Sequence, residues 1–325
     1  MATVSRVLND YPDVSPRTRA RVLEAIETAG FVPDRIARSL VTGRGQVIAV
    51  ILETGEGHPD LLHPFFQEVL VGLRRAVGAS PYDLLLLSGP ENEDDASYRR
   101  RIRHNRVDGV VLMGAREPRI AEVLAAGIPC MGVDLDVAGP RAGSVASDNV
   151  GGIALAVRHL HGFGHRRIGL ISGPPDTRPG AERLLGFRLA AAELRLAVPE
   201  AYVREGDYYP ASGDAAMRAL LDLPEPPTAV VAASDLMAAG ALQAVSERGC
   251  RVPEDVSIVG FDDIQIAGLL RPPLTTIRQD KQRLGLAAAE ALVRLIDDPG
   301  LAPPAITLPV ELIVRASTGR VRPLG

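Results

Sequence analysis

The chain has 325 residues, 46% hydrophobic and 23% charged, which predicts a globular protein of about two domains. No apolar run reaches the roughly 18 residues that span a bilayer, and no basic then apolar opening marks a secretory signal. The net charge of −4 is uneven, because residues 1–44 carry seven Arg against five Asp/Glu, a basic end suited to nucleic acid.

The opening MATVSRVLND reads as a short amphipathic helix, with Val4, Val7 and Leu8 on one face and Ala2, Thr3, Arg6 and Asn9 on the other. A second helix follows, with Ser15 as N-cap, Pro16 at the first helical position, a stripe of Val22, Leu23 and Ile26, and Gly30 past its end. PDRIARSL (33–40) is a short segment opened by Pro33, and TGRG (42–45) a flexible joint. From residue 46 short apolar runs alternate with amphipathic stretches. Strands are predicted at 46–52, 82–88, 108–114, 128–134, 167–173, 228–234 and 256–262. Helices are predicted near 65–78, 93–104, 117–126, 150–162, 181–195, 212–222, 235–248 and 280–297. Runs apolar at every position belong to strands buried on both faces. Their alternation with helices predicts parallel sheets covered on both sides. So many units exceed one ordinary sheet, so two sheets with a cleft between them are expected. The segment 128–144 then ends the first half and 271–280 is the return crossing.

Ligands of open α/β sheets bind beyond the C-terminal strand ends, a rule that selects Asp134, Ser234, Asp235 and Asp262. Arg183 is expected in the first turn of the helix that follows GPPDTRP, where a cation opposes the helix dipole. A ligand-gripping fork explains it better than a surface charge. Phe65 and Phe66 are either core or a stacking face for a sugar ring or base. His159 and His161 are two apart on a helix and point apart, and His165 lies beyond Gly164, so a solvated helix end is expected rather than a metal site. Cys130 and Cys250, in apolar or small-residue surroundings and without Cys-x-x-Cys or zinc spacing, read as buried, reduced thiols. Asp262-Asp263 has no partner nucleophile, and GxxxxGK[ST], GxGxxG and GxSxG are all absent from the sequence. Hydrogen bonding to ligand hydroxyls is the reading preferred to catalysis or loop capping. Carboxylates, one guanidinium and aromatic faces together suit a small polyhydroxylated ligand, with no catalytic residue, metal or cofactor.

ATVSRVLN, VSPRTRARVLEAIETAGFVPDRIARSLVTGR, HPFFQEVLVGL, DGVVLMG, GHRRIGLISGP, AERLLGF, SDLMAAGAL, VPEDVSIVGFDDI and PPLTTIRQD stand in an order that resembles the LacI/GalR family of bacterial transcription regulators, over essentially the whole chain. The resemblance implies an α/β fold of two doubly wound parallel-sheet subdomains, like the periplasmic binding proteins, behind a small all-α DNA-binding segment. It implies residues 1–44 as a partial helix-turn-helix headpiece and hinge helix, and 45–325 as an effector-binding core. Within the core it implies one subdomain of 45–147 plus 275–307 and another of 148–274 plus 308–325. Thr3, Ser5 and Arg6 match the recognition helix, Arg being the common reader of guanine and Thr3 and Ser5 phosphate contacts. Met1 and Ala2 fall where the family's main base readers lie. Arg38 is expected near the DNA backbone, and Leu40 matches the hinge leucine that wedges into the minor groove. Phe65, Phe66, Asp134, Arg183, Tyr208, Ser234, Asp235, Asp262 and Gln279 match effector-pocket positions, Ser234 standing where the family commonly carries Asn.

The family places a first helix and a turn, roughly 15 residues, before the reading helix. The expectation is therefore that the natural product begins upstream of Met1, and that the chain as written binds specific DNA weakly or not at all. The resemblance further implies a cytoplasmic homodimer on a pseudo-palindromic operator, controlled allosterically by a small effector. A sugar is the first expectation for that effector and a nucleobase stacked on Phe65-Phe66 the second. The competing readings are a sugar-binding protein of a transport system and a sugar-modifying enzyme.

Overall fold

The computed structural model describes residues 2–8, 13–28, 44–52, 60–87, 97–115 and 117–321, and falls into two units, Met1–Gln46 and Val47–Gly325.

The first unit holds α1 (Ala2–Leu8) and α2 (Pro16–Thr28). Ser15 caps α2 as expected: its Oγ accepts from the Thr18 amide at 3.3 Å, and Pro16 follows where an N–H has no helical partner. Arg6 pairs with Asp13 at 3.2 Å. Val7 is buried, whereas Val4 and Leu23 are exposed, so the predicted apolar stripes are only partly covered within this unit. Arg38, Leu40, Gly30 and the segment 33–40 lie outside the described residues.

The helices of the second unit are α3 (Pro64–Gly78), α4 (Ser97–His104), α5 (Glu117–Leu124), α6 (Asn149–Gly162), α7 (Arg178–Glu193), α8 (Pro210–Leu221), α9 (Asp235–Glu247) and α10 (Lys281–Asp297). Its first sheet contains β1 (Val47–Leu52), β2 (Asp83–Leu87), β3 (Gly109–Met113), β4 (Cys130–Val133), β5 (Ala142–Ser147) and, from far along the chain, β11 (Ala305–Leu308). The second contains β6 (Ile168–Ser172), β7 (Val203–Glu205), β8 (Ala229–Ala232), β9 (Ser257–Asp262), β10 (Thr275–Gln279) and β12 (Val310–Ile313). The orders are β11-β5-β4-β3-β1-β2 and β12-β10-β9-β8-β6-β7. Every pairing is parallel except that of β12 with β10.

Alternation along β1 shows why these strands are apolar throughout. Ile48 and Val50 pack with α3 and α10 on one face, while Ala49 and Ile51 pack with Tyr98, Ile102 and Val123 on the other. The second sheet repeats the scheme. Val230 and Ile258 pack with Met217, Met237 and Val245, and Leu170 and Val231 with Val157 and Phe187. Both sheets are thus middle layers between helices.

The register corrects one expected boundary. Segment 128–144 contains β4 and opens β5, the last strands of the first sheet before the chain first crosses over. Residues 275–279, expected with the first half, form β10 and pair with β9 in the second. The chain crosses between sheets after Ser147, after Gln279 and at Pro309. Residues that end β5 and β10 are therefore carried to the boundary between the sheets.

Candidate ligand-binding site

Strand ends from both sheets meet in one buried polar network. Ser147, the last residue of β5, donates its hydroxyl to Gln279 Oε1 at 2.7 Å, and Gln279 Nε2 donates to Asp262 Oδ1 at 2.6 Å. Arg183 Nη1 stands 3.9 Å from the same carboxylate oxygen. Its Nε donates to Asn149 Oδ1 at 2.8 Å and its Nη1 to the Ala233 carbonyl at 2.5 Å. The guanidinium carbon lies over Phe261, 3.8 Å from the ring centroid, and 5.9 Å from that of Tyr208. Asn149 in turn donates to Glu182 Oε2 at 2.8 Å.

This pair is buried on both sides, and burying charge is costly unless the partners are complete. It is incomplete. Among the described residues no side chain or backbone group bonds Arg183 Nη2 or Asp262 Oδ2. One charged donor and one charged acceptor thus remain, a combination that hydroxyl groups satisfy in both directions. Arg183 sits in the second turn of α7 and not the first, because the helix begins at Arg178, so the dipole argument for it is weaker than expected.

Asp134 directly follows β4 and approaches the network from the first sheet. Its Oδ1 accepts the Ser147 amide at 3.4 Å. Burial pushes its carboxyl up to about 6, against the pull of Arg183. Asp134, Tyr208 and Asp262 all hold positive φ, at 51°, 72° and 114°. Backbone strain of this kind gathers at ligand sites. The Tyr208 hydroxyl meets Thr177 Oγ1 at 3.1 Å.

The remaining expected residues divide. Ser234 and Asp235 are fully buried and spent on the protein itself. Ser234 Oγ caps α9, accepting the Met237 amide at 3.1 Å, and donates to the Tyr208 carbonyl at 3.2 Å. Asp235 accepts from Thr276 Oγ1 at 2.5 Å and from the Ile264 amide at 2.9 Å. Burial, then the charge of Asp262, push its carboxyl well above the usual range. Both brace the site from behind. Phe65 is buried in the first core, and Phe66 is half-buried against it. Asp263 is tied by Arg278 at 2.7 Å and Arg315 at 2.6 Å.

The histidine run is not a solvated helix end. His165 is buried between Thr228 Oγ1 at 2.9 Å and the Gly319 carbonyl at 3.0 Å, and His159 meets Thr318 Oγ1 at 2.9 Å. They fasten the tail of the chain to the second sheet's layers. Of the two thiols, Cys130 is buried, which pushes it up to about 12, and Cys250 is half-buried.

Sequence reasoning missed Ser147, Asn149 and His63. His63 caps α3, its Nδ1 accepting the Phe65 amide at 3.3 Å. It also missed Lys281, the only lysine, which is buried and donates to the Asp262 carbonyl at 2.6 Å while facing Glu68 at 3.4 Å. A cavity of about 740 Å³ opens beside Lys281, lined by Glu68, Arg75, Arg278 and Glu311 among others, and has no aromatic wall.

In the first unit Thr3 and Arg6 are exposed, and the Ser5 side chain lies outside the described residues. Among the described residues no helix is long and apolar enough to cross a membrane.

Residues 1–34 match the family described as bacterial regulatory proteins, lacI family, and residues 157–318 the periplasmic binding protein-like domain. The HTH-type transcriptional regulator CelR of Thermobifida fusca is 37% identical over 320 residues, 97% of this chain and 94% of that protein. A solved CelR–cellobiose complex is 35% identical with a TM-score of 0.78, covering 97% of this chain and 95% of that one. The lac repressor dimer bound to operator and the anti-inducer ONPF is 28% identical with a TM-score of 0.82, covering 98% and 95%.

Proposed function

The chain belongs to the lacI family of bacterial regulatory proteins, and on that premise we propose that it is a cytoplasmic transcriptional repressor whose operator affinity is set by a saccharide held between its two sheets. The observation that carries the saccharide is the incomplete Arg183–Asp262 pair: a buried cation and a buried anion, each with one atom left for a ligand. Gln279 and Asn149 hold the two charges in place, and half-buried Phe66, edge-on to His63, would supply an apolar face. The chain acts as a homodimer on a pseudo-palindromic operator, with Thr3, Ser5, Arg6, Arg38 and Leu40 as its DNA-facing residues. Effector binding draws the strand ends of the two sheets together and so changes the fit of the headpieces to DNA. A transport-binding protein has no use for residues 1–34. No nucleophile and base stand together among the site residues described above, as an enzyme would need.

Calorimetric titration of the purified protein with cellobiose and a panel of mono- and disaccharides tests this. Saturable binding is expected for at least one sugar, without turnover. Asp262→Asn and Arg183→Lys are expected to weaken it at least tenfold, because neither keeps the charged geometry. Binding of nucleosides and of no sugar would replace the saccharide with a base stacked on Phe66. Hydrolysis or modification of the sugar would overturn the reading.

A further inference from the structure

His63 is 7% exposed, and its two ring nitrogens are in different situations. Nδ1 accepts the Phe65 amide proton, so it carries no proton of its own. A neutral imidazole has one donor and one acceptor nitrogen, and the proton therefore sits on Nε2. Burial, the largest influence on the ring, favours this neutral form over the opposing pull of Asp262 and the Tyr208 backbone, with Arg183 adding to the effect of burial. Nε2 is itself buried and has no hydrogen-bond partner in normal geometry among the described residues. The Tyr208 carbonyl acts on the ring only weakly, outside normal hydrogen-bond geometry.

A buried donor without an acceptor is costly, and native structures rarely keep one without a use. The ring is aimed by its neighbours. It stands edge-on to Phe66 at 5.8 Å and to Tyr209 at 5.5 Å, so it touches helix α3 on one side and the loop before α8 on the other. Asp262 and Arg183 are near enough to act on its charge, which places it at the same boundary as the incomplete ion pair.

We infer that His63 is a specificity-determining residue of the ligand site, its Nε2–H donating to an acceptor oxygen of the bound saccharide, either a ring oxygen or a hydroxyl. The inference rests on the saccharide reading above. It adds a neutral donor to the charged donor of Arg183 and the charged acceptor of Asp262, and so discriminates against sugars that place only C–H at that point.

Two measurements test it separately from that reading. Long-range nitrogen–proton spectra of the six histidine rings, with His63 assigned by its loss in His63→Asn, are expected to show the Nε2–H form in the ligand-free protein. An Nδ1–H form would overturn the inference whatever sugar binds. His63→Asn keeps a side-chain oxygen to cap Phe65 but lacks the ring donor. It is expected to hold the melting temperature and to bind cellobiose, or whichever panel sugar binds the unaltered protein, about five- to tenfold more weakly. Equal affinity would overturn the inference, with the saccharide reading intact. Failure of every sugar on the unaltered protein would overturn both, and would be recognised because the ring tautomer is unaffected.

Discussion

Asp134 shows how much one side chain owes to its surroundings. Its carboxyl stands at about 6, against an ordinary value of 3.8, because burial penalises the charge more than Arg183 relieves it. Between those two values the folded chain holds a proton that the unfolded chain has shed. This group's contribution to stability therefore falls as pH rises through that window, and the loss persists above it. A shift of this size is worth about 3 kcal/mol at most. Asp134→Asn removes the charge and keeps the shape. Urea denaturation is expected to show it more stable than the unaltered protein at pH 8 by about 1–2 kcal/mol, and level with it near pH 4. A difference that does not change with pH would contradict the burial argument. Asp262 was legible in the sequence because strand-end position and residue type both point to ligand chemistry, and Arg183 because a guanidinium near a helix start has little structural use there. Ser147, Asn149 and His63 were not. Ser147 ends a strand of small residues, AGSVAS, that carries no hydrophobic signal. His63 is identified by its empty Nε2, a property of packing alone.

Between elements, helices α3 and α10 approach so closely that each needs a glycine. A Cβ on Gly72 would stand 1.9 Å from the Gln282 carbonyl oxygen, and one on Gly285 would stand 2.0 Å from that of Val69. Helices α8 and α9 repeat the device at Gly213 and Gly240. Gly285→Ala is expected to cost about 3 kcal/mol or more, since backbone must move to admit the methyl. Gly78, at the end of α3, faces open space, and Gly78→Ala is expected to be neutral or to stabilise by up to about 1 kcal/mol. Urea midpoints of the two variants read this contrast. The main helices and the seven apolar strands were predicted within a few residues, because their periodicities are local. Strands β5, β7, β10, β11 and β12 were not, since AGSVAS, VRE, TTIRQ, AITL and VELI become strands only by pairing with neighbours.

Over the whole second unit, Lys281 is one charge that ties the two sheets' layers, as the Arg178–Asp136 pair at 3.2 Å is another. The Lys281 ammonium donates to the Asp262 carbonyl, at the end of β9, and faces Glu68 on α3, which packs on the first sheet. With the regulatory reading above, effector and operator affinities must be linked, and by the same factor in each direction, typically about 5- to 150-fold. Fluorescence anisotropy on a duplex selected from a random pool, with and without saturating sugar, measures one direction, and calorimetry with and without the duplex measures the other. Lys281→Met is expected to shrink both factors together while leaving sugar binding measurable, because it loosens the tie without touching Arg183 or Asp262 side chains. Unequal factors would rule out simple linkage, and an unchanged factor would remove Lys281 from the coupling.

Patterning along the chain dictates which runs are strands buried on both faces, which stretches are helices, and that the two alternate often enough to need two sheets. Strand-end carboxylates follow from the same local rules. The crossings do not. Residues 275–279 join the second sheet through ladder hydrogen bonds to β9, a partner that no periodicity names. The completeness of a buried ion pair and the vacancy at His63 Nε2 are likewise settled only when distant segments pack. Unsatisfied charge and hydrogen-bonding capacity depend on the three-dimensional neighbours of a group, and sequence order does not specify them.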